Sequence, residues 1–130
     1  MKYPVVIHHD PGTAYGVTVP DIPGCFSAGE TIDEALTNTQ EAICGHLELL
    51  AEEGETAPTA SNIEAMHTNP DYAGGIWAYV DIDITPFMGK SEKVNVTLPA
   101  FLIRKIDAAV AAGKGKNRSA FLAESAMRAL

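Results

Sequence analysis

The chain has 130 residues, 46% of them apolar and 20% charged, with a formal net charge of −8. Those values describe a folded globular chain and exclude a disordered tail, and the length suits one ordinary domain or two small ones. No apolar run approaches the roughly 20 residues that span a bilayer, and the start MKYPVVIHHD lacks the apolar stretch of a secretory leader, so a cytoplasmic, non-membrane protein is expected.

The charge is unevenly spread. Residues 1–89 hold one lysine against fourteen acids, a net of −13, whereas residues 90–130 hold eight Lys/Arg against three acids, a net of +5. Opposite signs suggest two modules, a basic one suited to phosphate and an acidic one suited to a basic protein.

In chain order, residues 2–9 and 15–20 read as strands joined by the turn Asp10-Pro11-Gly12-Thr13, and Cys25–Ala28 as a brief third strand. Thr31-Ile32-Asp33-Glu34 has the form of a capping box, in which Thr31 bonds the Glu34 amide and Glu34 reaches back to the Thr31 amide. Behind it Leu36, Thr39, Ile43, Leu47 and Leu50 recur at helical spacing, and Gly54 is a natural stop. A short helix from Asn62 to about His67 and a strand over residues 76–84, with Asp81 and Asp83 on one face, complete the acidic part. The expected class is α+β, ordered strand, strand, strand, helix, strand.

The boundary falls within Thr85–Glu92, giving domains 1–86 and 87–130. Lys93–Leu98 alternates strictly, with Val94, Val96 and Leu98 on one face and Lys93, Asn95 and Thr97 on the other. Pro99 stands at the first-turn position of a helix whose stripe is Leu102, Ile103, Ile106, Ala109 and Val110. After Lys114-Gly115-Lys116, Asn117 caps a second helix carrying Phe121, Leu122, Ser125, Ala126 and Ala129. One strand and two short helices cannot bury their own apolar faces, but two copies can, so an intertwined homodimer is expected. Its paired ribbon would present Lys93, Asn95 and Thr97 to the bases of a DNA major groove, while Lys116, Asn117, Arg118 and Ser119, at the start of the second helix, would meet phosphate.

This tail resembles the ribbon-helix-helix family of bacterial repressors at VNVTLP, at the helix that follows and at NRSAFLAESA. The resemblance implies base contacts from Lys93, Asn95 and Thr97 and phosphate contacts from the amides around Arg118 and Ser119. Residues 2–84 resemble the HicB antitoxins along Pro20–Thr31, at Asp33-Glu34-Ala35, through the helix to Gly54 and at Pro58. That resemblance implies a partial RNase H-like fold, a small basic HicA-type RNA-cleaving toxin as partner, and autorepression through operator DNA; it leaves a tetramer open.

Other chemistries were weighed against these. A metal-dependent nuclease would draw on Asp10, Glu41 and Asp81 or Asp83, but no motif brings these acids together. Alternation would send His8 and His9 of His8-His9-Asp10 to opposite faces, Cys44-Gly45-His46 with a distant Cys25 lacks the spacing of known zinc sites, and no base is tied to Cys25. Neither catalysis nor a cofactor is expected. A repressor that senses a small ligand near Trp77 and Tyr15 is the alternative function.

Overall fold

Lys2–His8, rich in Val and Ile, is a strong strand former. In the computed structural model, which describes residues 1–130, it is β1, an inner strand of a four-stranded sheet. Tyr3 through Ile7 are all buried, so both faces of this strand are covered. It pairs antiparallel with β2 (Tyr15–Thr18) on one side and β4 (Ile76–Asp81) on the other; β2 pairs in turn with β3 (Phe26–Gly29). The sheet order is therefore β3-β2-β1-β4, and every pairing is antiparallel.

The second strand is shorter than its apolar pattern predicts. It stops at Thr18 because Val19 donates to the Cys25 carbonyl and Ile22 donates to that of Val19, closing a loop over residues 19–25. Gly24 (φ 79°) supplies the left-handed residue of that loop, and Ile22 anchors it in the core. The Asp21 carboxylate accepts from the Ser61 amide at 2.8 Å and hydroxyl at 2.6 Å, while the Tyr3 hydroxyl donates to the Pro58 carbonyl at 2.7 Å. Two distant loops are thereby fastened to the sheet. Burial, with Asp21 nearby, pushes the Tyr3 phenol up to about 12.

The long helix α1 spans Ile32–Glu52 and packs against β2, β3 and β4. Its buried residues are Ala35, Thr39, Ile43 and Leu47; Leu36 and Leu50, expected on the same stripe, are only half-buried at its margins. Thr31 caps the Glu34 amide as predicted, at 3.1 Å, but the Glu34 carboxylate reaches Glu30 rather than Thr31. The Glu30 amide precedes the cap, so one donor outside the helix is satisfied instead of one within it. The helix ends in a Schellman arrangement around Gly54 (φ 76°), whose amide bonds the Ala51 carbonyl while Glu55 bonds that of Leu50. Gly29 is required where β3 meets α1, because a Cβ there would collide with the Ala35 backbone.

A short helix, α2 (Ile63–Met66), is capped by Asn62. The last strand ends at Asp81, earlier than the expected residue 84. Its strand register with β1 extends to the Lys2–Asp81 pair, Ile82 exchanges hydrogen bonds of 2.8 and 2.7 Å with Met1 just beyond, and Asp83 bonds the Thr85 amide at 3.0 Å ahead of a 3-10 turn over Thr85–Phe87. Asp81 and Asp83 thus do not share a strand face.

Two compact units result, Met1–Phe87 and Met88–Leu130. The second contains α3 (Ala100–Ala111) and α4 (Arg118–Ala129). Pro99 sits one residue before α3 as its N-cap, not within the first turn, and its carbonyl takes the Ile103 amide at 3.1 Å. The end of α3 repeats the α1 solution: Gly113 (φ 83°) bonds Val110, and Lys114 bonds Ala109. No helix in either unit is long and apolar enough to cross a membrane.

Candidate nucleic-acid interface

The alternating segment Lys93–Leu98 makes no strand pairing within the chain. Lys93, Asn95 and Thr97 are exposed, but so are Val94 (71%) and Val96 (64%), which the alternation assigns to a core. The two helices behave alike. Ile106 is the sole buried residue of α3, Phe101 and Leu102 are exposed, and α4 buries none of its residues. Within one chain this unit has apolar side chains at core positions and very little core.

The turn between the helices gathers Lys116, Asn117, Arg118 and Ser119, all exposed. The Asn117 Oδ1 accepts from the Ala120 amide at 2.8 Å, and the Phe121 amide bonds the Asn117 carbonyl at 3.0 Å. The amides of Arg118 and Ser119 are thus the uncapped donors at the positive end of the helix dipole. Gly115 lets the turn lie close on Phe121, whose Cβ would stand 3.2 Å from an added Cβ.

The Arg118 side chain has a partner that sequence reasoning missed. Its Nε donates to Asp107 Oδ1 at 3.0 Å and its Nη2 to Oδ2 at 2.8 Å. The hydrogen bond from Arg118 holds the Asp107 carboxyl below the usual carboxylate range, and Arg118 is correspondingly raised. Two residues eleven apart across a glycine turn share no helical period, so spacing alone gives no signal. The Glu124–Arg128 pair, at 2.7 Å and four residues apart, was readable from spacing. Lys105 lies 4.9 Å over the Phe101 ring.

Asp10, Glu41, Asp81 and Asp83 join no group of three or more metal-ligating side chains. Cys25 and Cys44 are free thiols, both raised by burial, which keeps them protonated and poor nucleophiles. Tyr15 stacks on His9 at 4.0 Å and Trp77 meets Tyr72 edge-on at 5.6 Å. A cavity of about 230 Å³ beside the 19–25 loop is lined by Thr18, Val19, Pro20, Pro23, Gly24, Cys25, Phe26 and Tyr72, without Trp77 or Tyr15.

An acidic α+β body is thus followed by a basic two-helix unit with an unfilled core. The family described as HicB-like antitoxin of bacterial toxin-antitoxin system matches residues 3–126. The chain belongs to that family. It is 50% identical to the Burkholderia pseudomallei antitoxin HicB in its crystal structure, with a TM-score of 0.77 over 100% of this chain and 98% of that one. It is also 44% identical to a 14.9 kDa protein of Haemophilus phage HP1, over 100% of this chain and 98% of the relative. A chain of the HicA3 and HicB3 toxin-antitoxin complex is 34% identical, with a TM-score of 0.55 over 64% of this chain and 99% of that one.

Proposed function

We propose that the Met88–Leu130 unit is a ribbon-helix-helix module that dimerises, binds operator DNA and represses its own operon. One observation carries this reading: Lys93–Leu98 is an unpaired alternating segment with Val94 and Val96 exposed, in a unit whose second helix buries no residue. Pairing the segment with its copy would satisfy its backbone groups and cover both valines. Lys93, Asn95 and Thr97 would then face the major groove as a two-stranded ribbon, and the α4 amides, with Lys116, would take backbone phosphates.

The Met1–Phe87 unit, on this reading, is a partial RNase H-like body that binds and silences a small basic HicA-type RNA-cleaving toxin. Its fourteen acids against one lysine suit such a partner and would speed the encounter. The similarity to a chain of the HicA3 and HicB3 toxin-antitoxin complex supports the same pairing.

Co-expression with the small basic protein encoded beside this gene tests the toxin half. Rescue of growth and a co-purifying complex are expected; growth arrest unaffected by this chain would refute it. Footprinting of the preceding promoter tests the other half: protected half-sites that vanish in Asn95→Ala are expected, and uniform protection of random DNA would refute it.

A further inference from the structure

Eight basic side chains lie in residues 90–130, and two of them, Arg118 and Arg128, are held in ion pairs within the unit. Arg128 is paired with Glu124, and Arg118 is held fork-on by Asp107. A guanidinium meets a carboxylate through the same parallel pair of N–H donors with which it meets a phosphate. Asp107 and Arg118 are about half exposed, at 49% and 54%, so the pair sits at the surface beside the α4 amides. We propose that Asp107 is a positioning residue that stands in for phosphate, occupying the Arg118 fork and withholding that charge from DNA. This rests on the reading of Met88–Leu130 as a DNA-binding module and deepens it.

The consequence is a graded grip. The pair is neutral as a whole, so an approaching phosphate meets a carboxylate along with the guanidinium. Attraction to the backbone then falls to Lys114, Lys116 and the other basic residues outside ion pairs, together with the two helix amides. Weak non-specific binding leaves more of the discrimination to the ribbon bases, because phosphate contacts add affinity to every sequence alike.

The experiment compares full-length wild type, D107N and the double variant D107N/R118A. Each is titrated against a duplex of the gene's own promoter at 50 and 200 mM salt and run on heparin resin, with thermal melts to check folding. D107N is expected to bind more tightly, elute from heparin at higher salt, and steepen the salt slope by about one unit per protomer. Its advantage over wild type should then shrink about tenfold between 50 and 200 mM salt for a dimer with two freed arginines. The double variant removes the pair without changing net charge and should keep the wild-type slope.

A double variant whose slope drops by about one per protomer would show that Arg118 already contacts phosphate, and would overturn the proposal. D107N indistinguishable from wild type on promoter and heparin would do the same while leaving the DNA-binding reading intact. Conversely, D107N held more tightly on heparin, with wild type showing no promoter preference, upholds the withheld charge and removes the operator reading.

Discussion

Arg118 and Asp107 lock two helices of the basic unit together through a parallel pair of hydrogen bonds, 3.0 and 2.8 Å long. The pair ties the first turn of α4 back to α3 across Ala112, four glycine or lysine residues (Gly113, Lys114, Gly115 and Lys116) and the cap Asn117. An exposed ion pair of this kind contributes modestly to stability and is screened by salt. Its direction with pH is nonetheless defined.

Since the folded Asp107 carboxyl is held below its ordinary value of 3.8, its contribution is present above that value and is lost as pH falls through the lower, folded one. Melts of wild type and D107N should therefore differ near neutral pH and converge as pH drops below about 4. A gap that persists at the lowest pH would mean the substitution acts through something other than the charge of Asp107.

Groove reading by the ribbon makes a selective prediction. Asn95→Ala should cost about 1–3 kcal/mol per contact on the promoter and little on unrelated DNA. Equal losses on both, measured by competition titration, would place Asn95 outside base readout.

Dimerisation through the ribbon predicts that Val96→Asp separates the copies. A charge at a position destined for the core leaves it buried without a partner, so sedimentation should show monomer at concentrations where wild type is dimeric. The neighbouring Asn95→Ala variant should remain dimeric in the same run.

Capping sets a smaller and more local effect. Asn117→Ala removes the acceptor for the Ala120 amide and should destabilise the basic unit by about 1 kcal/mol. The same change at Thr31 should act on α1 to a similar extent. Chemical denaturation of each variant checks both.

Core truncation provides the large contrast. Ile43, wholly buried in α1, should cost about 2–5 kcal/mol on replacement by Ala. Leu49, 59% exposed on the same helix, should change stability by less than about 0.5 kcal/mol.

Local features of this fold were legible in the sequence because a few adjacent residues determine them. The Thr31 and Asn117 caps and the stop at Gly54 depend on dihedral freedom and reach within one turn. Most of the features missed depend on partners far along the chain. Nothing near Asp81 reveals where its ladder with β1 ends, and Ile82 and Ile84 carry the apolar alternation on into the core beyond the strand. The expected return of Glu34 to Thr31 failed because the Glu30 amide, just outside the helix, takes its carboxylate instead. In the candidate interface, residue types and alternation pointed to the ribbon face, whereas the Asp107–Arg118 fork needed the helix-to-helix geometry of the folded turn.

The bare valines of the Lys93–Leu98 segment carry a consequence for control of the gene. If two chains must meet before the unit acquires a core, the amount of repressor rises as the square of the amount of protein while monomer predominates. Halving the supply of chain would then cut the active form about fourfold in that regime. Expression would resume abruptly as the pool thinned, and the sharpness would come from an unfilled hydrophobic interior rather than from any added ligand.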